Sequence, residues 1–388
     1  VDIEVSTPQQ LSTALSTASA GDRIVLSDGN YDQLDIFNRN YQGYITLLPA
    51  AGNRNVRFSN IEIENSSYIR LSGLTVISEG REGIGIFSGS HHIQVINSEI
   101  YGSNQFNRAA PSYTQVSNLY GINTSGNVHN VLIENIDAHD FSSSAYLFTG
   151  ISNSIIRGNR CDWVASDCFK FSGANGILFE NNFGAENIYS SPDAHVDFVQ
   201  GQGEVSNSIF RGNVALMNTR SFQGLFFDDA TFTNLTFENN LISTAHNRGI
   251  SVSGDQSSGI VARYNTVLRT GGSQKATFIS LPSGSIKAFN IESNNTTKNE
   301  NRFPGNNIIA QWDDQNDIAH YDLYYINADR GPGATIQDFA PVAGSPAFDT
   351  VGAFERIHEL LENTAPSQPL SGSFPAMPAI LNLLTDPQ

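Results

Sequence analysis

A short apolar run that ends in glycine or asparagine and then restarts recurs along most of this chain, and few folds can absorb such a repeat. The runs are YIRLSGLTV, HIQVINSEI, NVLIENIDA, NSIIRGNRC, GILFENNFG, NSIFRGNVA, NLTFENNLI, GIVARYNTV and SIKAFNIES. With Gly73, Asn97, Asn135, Asn159, Asn182, Asn213, Asn240, Asn265 and Asn290 as markers, most spacings fall near 23 to 31 residues. That is the length of one coil of a parallel β-helix with three short strands per turn. Asparagine suits the bend because it tolerates left-handed backbone and can stack its amide on the copies above and below. A row of separate β-sandwiches would need hairpin turns, and Asn-Gly and Asp-Gly pairs are scarce. The expected fold is therefore all-β, a parallel β-helix (solenoid) over residues 1–345, with residues 346–388 as a C-terminal cap and strap.

The two ends read differently from the repeat. Thr7 before Pro8 is a good N-cap with proline at the first helical position, which predicts a short capping helix from about Pro8 to Ala18 with Leu11 and Leu15 on its buried side. Beyond Asn295 the periodicity weakens. Ala353 to Glu362 reads as a short helix, and the Pro-rich tail after it as an extended strap that covers an open sheet edge.

Composition narrows the partners. Only 15% of the residues are charged, the net charge is -17 and there are 33 glycines, a profile of loop-rich secreted β proteins. Nucleic acid and anionic membranes need a field of Lys and Arg, so both are excluded as partners. An anionic polysaccharide is not excluded, because a local groove can be positive on an acidic protein. No run of about 18 apolar residues exists, so no membrane insertion is expected. A chain that starts at Val1 without Met suggests a removed signal peptide, and hence a secreted or periplasmic location. Cys161 and Cys168 fit either a local disulfide or two buried thiols, and Cys-x6-Cys alone is not a metal site.

Ionisable side chains concentrate between Asp162 and Gln200. Aligning coils on their markers puts SDCFKFSG, HVDFVQGQG, QGLFFDDA and RGISVSGD at one height, with Asp167 near Asp197, Lys170 near Gln200, and Gly224 and Gly249 continuing the first column. Adjacent rungs lie about 4.8 Å apart, so two stacked carboxylates need Lys170, a metal or a raised pKa. A one-residue slip would turn the side chains to the other face. The loop and strand from Tyr189 to Asp197 place a phenol, the Asp193 and Asp197 carboxylates and the His195 imidazole together. His195 and Asp197 share a face of an extended strand, where the carboxylate fixes the imidazole tautomer.

Arg220, Gln223, His246 and Arg248 follow on later coils and can bind a carboxylate or sugar hydroxyls, as can Gln200. Tyr146 is a further substrate-binding candidate. The insertion YGSNQFNRAAPSYTQVSNLYG offers Tyr101, Phe106 and Tyr113 as aromatic sugar contacts. Turn caps for the two aspartates, an exposed strand lysine at Lys170 and loop packing for Tyr189 are the plain alternatives. His91 and His92 have no carboxylate beside them and read as a turn. No cofactor is expected; stacked aspartates make Ca²⁺ possible, but no Asp-x-Asp cage stands out.

The opening helix followed by AGDRIVLSDGNY resembles the start of chondroitinase-B-like and alginate-lyase-like secreted β-helix proteins, which implies a right-handed coil. Tyr189, Asp193 and His195 are similar to the Tyr-x-x-Asp-x-His arrangement of mannuronan C5-epimerases, with one extra residue between Tyr and Asp. In that family a lysine on an earlier coil assists, a role that would fall to Lys170. SDCFKFSG and HNRGISVSG resemble polygalacturonase-type hydrolases, but Ser166 replaces one expected Asp and the first Asn-Thr-Asp is missing.

These readings converge on an enzyme acting on an extracellular polysaccharide. The first expectation is a lyase that abstracts the C5 proton of a uronic acid, with His195 or Tyr189 as base, Lys170 or an arginine neutralising the carboxylate, and Asp193 or Asp197 orienting the imidazole. The alternatives are a glycoside hydrolase with Asp167 and Asp197 as its carboxylate pair, a uronate C5-epimerase, and a non-catalytic carbohydrate-binding or adhesin rod.

Overall fold

The computed structural model describes residues 1–51, 55–185, 196–216, 222–254, 256–269, 277–295, 307–313, 318–319, 336–340 and 342–343. The backbone is an all-β parallel solenoid of about 11 turns with very little helix. Residues 346–388, and with them the expected cap and strap, lie outside the described residues, as do Tyr189, Asp193, His195 and Arg220. Two compact units partition the described residues: one holds Val1–Val164 with Ala174–Ile177, and the other holds Ala165–Gly173 with the described residues from Leu178 onward.

In the first unit the chain visits three sheets in rotation. One coil, for example, runs through Glu82–Phe87, His91–Ile96 and Glu99–Gly102. Each strand pairs in parallel with its counterpart one coil later, as Ile93 does with Val131 and Ile100 with Ala138. Parallel neighbours cannot be joined by a hairpin, so every coil must bend at its corners. Inward side chains such as Ile84, Ile93, Val95 and Ile100 are fully buried, each contributing roughly 1.5–3 kcal/mol by leaving water. The capping helix spans Pro8–Thr17, with Thr7 Oγ1 accepting the Gln10 amide at 3.2 Å and Leu11, Ala14 and Leu15 buried.

The bends show that the sequence markers hold two different jobs. Gly73, Asn97 and Asn135 have left-handed backbone, with φ of 70°, 52° and 52°; in later coils Gly158, Asn181, Gly212 and Asn239 take that place. Asn159, Asn182, Asn213, Asn240, Asn265 and Asn290 sit one residue further on and point inward, each with about 1% or less of its surface exposed. In the second unit these amides form a ladder. Asn240 donates its backbone N–H and its Nδ2 to Asn265 Oδ1 at 3.1 and 2.9 Å, and Asn265 donates in the same way to Asn290 Oδ1 at 2.9 Å for both bonds. The same pair of bonds links Asn182 to Asn213, Asn213 to Asn240 and Asn290 to Asn307. Beside the ladder, Phe169, Phe179, Phe198, Phe210, Phe227 and Phe237 pack against one another, mostly edge to face.

The expected sugar-holding insertion is instead anchored to its own unit. Phe106 is only 4% exposed, its amide donates to Asp140 Oδ1 at 2.8 Å, and Arg108 makes a bidentate pair with both Asp140 oxygens at 2.7 Å. The Arg108 guanidinium also lies 4.2 Å over the Trp163 ring. His139 Nδ1 is 2.6 Å from Asp140 Oδ2, and the His139 ring stacks on Tyr101 at 5.2 Å. Phe106 and Tyr101 are thus committed to packing, and only Tyr113, in a 3-10 turn, remains exposed. Tyr146 is fully buried, its hydroxyl bonded to the Ile136 and Arg160 carbonyls at 3.0 and 2.9 Å. Burial pushes its phenol well above the ordinary value, and a side chain so enclosed cannot contact a polymer, which corrects its assignment as a substrate-binding residue. His91 and His92 lie in a strand rather than a turn, with His92 in left-handed backbone. Both cysteines are fully buried and oxidised, neither being a free thiol.

Two predictions follow from these bonds. Asn265→Ala removes a buried amide with partners on both neighbouring coils, so it should lower stability by roughly 2–4 kcal/mol in denaturant unfolding. An unchanged midpoint would show that the ladder adds no stability. The second concerns pH. Burial pushes the His139 imidazole down, but the Asp140 bond and the surrounding carboxylates outweigh it and hold it above 6.5. Burial pushes the Asp140 carboxyl up, but bonds from His139, Arg108 and the Phe106 amide outweigh it and hold it below 3.8. The raised histidine stabilises the fold fully below 6.5 and loses that contribution as pH rises through its folded value; the depressed aspartate stabilises above 3.8 and loses it as pH falls through its own. Stability measured against pH should therefore hold a plateau between those limits, and Asp140→Asn should flatten both slopes.

Candidate functional site

In the second unit the strands Phe169–Ser172, Val196–Gly201, Phe222–Phe227, Arg248–Val252 and Phe278–Ser280 pair in that order, all in parallel. Phe169, Val199, Leu225 and Ile250 share one register position, and all are fully buried in the core. Flanking positions build two polar columns. Lys170 pairs with Gln200, Gln200 with Phe226 and Phe226 with Ser251. Asp197 pairs with Gln223, which stands two residues before Leu225 as Arg248 stands two before Ile250.

That register confirms the expected neighbours Lys170 and Gln200 and corrects the other column by one residue. Asp197 is continued by Gln223 and Arg248, not by Gly224 and Gly249. The glycines serve close packing: a Cβ at Gly224 would collide with the Gly249 carbonyl.

A groove of roughly 620 Å³ opens over these columns. Gln200, Gln223, His246 and Arg248 line it, as the sequence predicts, together with Gly201, Gln202, Phe226, Asp228, Asp229 and Asn247. Phe226 follows from the register alone, since it occupies the column of Lys170 and Gln200. Asp228 and Asp229 follow the end of that strand at Phe227, and their signal was the acidic pair inside QGLFFDDA.

The Arg248 guanidinium lies 4.6 Å over the Phe226 ring, and Nη1 is 3.8 Å from Asp228 Oδ2. Ser253 Oγ also donates to Asp228 Oδ1, holding that carboxylate at the groove edge. The Arg248 backbone N–H donates to His246 Nδ1 at 3.2 Å, so the neutral ring carries its proton on Nε2. Gln200 and Gln223 each bury an amide oxygen that has no hydrogen-bond partner among the described residues, although Gln223 is only 2% exposed.

The two aspartates meet as predicted, but in a structural bond. Asp167 Oδ1 accepts the Asp197 backbone N–H at 3.0 Å, and the Asp197 carbonyl accepts the Cys168 N–H at 2.9 Å. Both side chains are buried, Asp167 at 4% and Asp197 at 0% exposure. Asp167 thus joins one rung to the next. Among the described residues no group of three or more His, Cys, Asp or Glu side chains is placed to hold a metal ion. No helix among them is long and apolar enough to cross a membrane. Tyr113 is not among the residues lining the groove.

Fold and groove together define a parallel β-solenoid with a polar groove across stacked strands. No family model matches the chain, and no curated protein matches it. Among solved structures it is similar to pectate lyase Pel9A, with a TM-score of 0.51 and 15% identity over 91% of this chain and 96% of that one. It is also similar to the GH136 lacto-N-biosidase of Eubacterium ramulus, with a TM-score of 0.50 and 11% identity over 74% of this chain and 67% of that one. An alginate lyase from Paenibacillus sp. str. FPU-7 matches at a TM-score of 0.45 and 17% identity, over 74% of this chain and 97% of that chain. The likenesses at TM-scores of 0.51 and 0.50 bear on the solenoid fold alone.

The role of Asp167 can be tested by keeping its shape. Asp167→Asn retains the oxygen that accepts the Asp197 amide, so folding and turnover should stay within about tenfold of wild type. Loss of a general acid or base costs roughly 10²–10⁴-fold, and a loss of that size in a folded D167N protein would return Asp167 to the chemistry.

Proposed function

We propose that this chain cleaves an extracellular polysaccharide containing uronic acid, by removal of the C5 proton and β-elimination. The observation that carries the reading is the groove that Arg248, His246, Gln200 and Gln223 line over parallel strands. Successive coils give a linear polymer evenly spaced contacts, and a long groove suits it. In this reading Arg248 neutralises the uronate carboxylate and stabilises its added charge in the carbanion-like state, while Lys170, three strands away in the sheet and outside the lining of the groove, serves a neighbouring part of the polymer. The Phe226 face fixes the plane of the guanidinium, so its N–H edge rather than its face meets the carboxylate. His246 donates to a substrate oxygen.

The proton acceptor is assigned to His195, with Tyr189 as its partner and Asp193 or Asp197 orienting the imidazole. That assignment rests on the sequence pattern. Arg220 is kept as a further carboxylate ligand on the same ground. The similarity to a pectate lyase supports the reading at the level of fold, which hosts more than one chemistry. Oxidised, buried cysteines and the low charge content support a secreted or periplasmic location. Ca²⁺ remains compatible with a uronate substrate, and no other cofactor is required by the proposed chemistry.

Asp228 and Asp229 at the groove favour a second reading, glycoside hydrolysis by a carboxylate pair. Epimerisation would share the proton abstraction without chain cleavage, and a binding rod would show neither. Incubation with alginate, pectate, glycosaminoglycans and bacterial exopolysaccharides separates them. A lyase yields an unsaturated uronate that absorbs in the ultraviolet, whereas a hydrolase yields only new reducing ends. Arg248→Ala should lower kcat/KM by roughly 10²–10³-fold, and His195→Ala should abolish turnover. Normal turnover by folded H195A protein would remove His195 from the mechanism.

A further inference from the structure

We infer that Asp228 is the resident counterion of Arg248: a uronate carboxylate displaces it from the guanidinium on binding, and it reclaims the guanidinium when the product leaves. This role rests on the reading that Arg248 takes the carboxylate, and it makes Asp228 a positioning residue that acts through Arg248 rather than on the sugar. Both side chains line the groove and are open to solvent, at 42% exposure for Arg248 and 34% for Asp228. Nη1 of Arg248 lies 3.8 Å from Oδ2 of Asp228, which is too long for a hydrogen bond. The pair is therefore held by charge alone.

What sets this pair apart is that it stays open. Where an arginine and a carboxylate brace neighbouring coils they close fully, at 2.6 Å for Arg157 with Glu134 and at 2.7 Å for both Arg211 with Glu180 and Arg263 with Glu238. In the groove both partners are tied back. Oδ1 of Asp228 accepts the Ser253 hydroxyl and, at 2.9 Å, the Asp229 backbone N–H, while the Ser253 N–H is itself bonded to the Phe227 carbonyl at 2.9 Å. The guanidinium rests on the Phe226 ring at 4.6 Å. A carboxylate that arrives with a substrate has no such tether and can take the bidentate geometry of roughly 2.7–2.9 Å that Asp228 does not reach. An exposed, open ion pair is a weak competitor, since pairs of this kind add little net free energy in water. Of the described residues that line the groove, Arg248 is the one permanent cation and Asp228 and Asp229 are the anions, so a carboxylate gains its place by exchange. The same exchange run backwards eases the departure of the product.

The test removes the competitor and keeps its shape. Asp228→Asn retains an oxygen for the Ser253 and Asp229 donors and drops the charge that faces Arg248. Affinities of wild type, Asp228→Asn, Arg248→Ala and the double variant are measured by calorimetry at 4 °C, alongside thermal unfolding. The ligands are pectate- and alginate-derived trisaccharides and the same trisaccharides with their carboxylates reduced to alcohols. Ultraviolet absorbance of the unsaturated product is followed in the same samples. Asp228→Asn should bind the uronate trisaccharides roughly two- to fivefold more tightly than wild type, with no change for the reduced forms, and the gain should vanish in the Arg248→Ala background. A carboxylate that merely supports the fold would, once removed, lower affinity for charged and reduced ligands alike. That result, an unchanged affinity for uronates, or a gain that persists without Arg248 overturns the inference.

Should Asp228→Asn fail to fold, Asp228→Ser also removes the charge at this half-exposed position and carries the same expectations. The two proposals fail separately. Unsaturated product from wild type together with unchanged uronate affinity in the Asp228 variant overturns the counterion role alone. An affinity gain confined to uronates and dependent on Arg248, without any unsaturated product, overturns the lyase reading alone. No uronate binding by any form overturns both.

Discussion

The asparagine ladder is the interaction on which the second unit depends. A β-solenoid exposes its core side chains to water only at its ends, but it must turn sharply at every corner, and each corner strands backbone donors inside the molecule. The ladder solves that problem with one residue type. Each Oδ1 takes both the backbone N–H and the Nδ2 of the preceding coil, while each Nδ2 also reaches a backbone carbonyl, as Asn265 does with Phe237 and Arg263. Buried amides that are fully paired rigidify their surroundings, whereas unpaired ones are costly. Register in the neighbouring strands is thereby fixed, and with it every side chain of the groove.

The groove inherits its geometry from that register. Gln223 and Arg248 belong to one column and Gln200 and Phe226 to another because consecutive coils repeat the same path, not because any loop brings them together. Such a site is rigid where it rests on strands. Asp167 contributes to that rigidity by accepting the amide of Asp197 on the next rung. The stacking of Arg248 on Phe226 adds a second constraint, since the flat guanidinium and the ring hold each other's orientation.

The fold was legible in the sequence because its period is physical: apolar side chains and corner residues must recur once per coil. The capping helix was legible for a local reason, Thr7 followed by Pro8. The neighbours Lys170 and Gln200 followed from simple alignment of coils. Other features were hidden by the same repetition. Markers such as Asn135 and Asn159 look alike as letters, yet one bends the backbone and the next bonds inward, a difference of a single position. The column moved from Gln223 and Arg248 onto the glycines for a different reason: the chain between each inward asparagine and the following strand differs in length from coil to coil. Tyr146 and Phe106 were misread because an aromatic side chain carries no mark of whether its ring faces solvent or core. The Arg108–Asp140 pair spans 32 residues, and no pattern in the sequence announced it.

The ladder also bears on how such a chain can change in length. Its bonds repeat across separations of 31, 27 and 25 residues, so the loops between corners vary while the bond type does not. Growth or loss is consequently quantised. Adding or removing a whole coil leaves every amide with the same kind of partner, whereas adding one residue beside the ladder would break a rung. A molecule built this way can be lengthened without redesigning its interior, with evolution acting on the number of coils and on the loops that leave them.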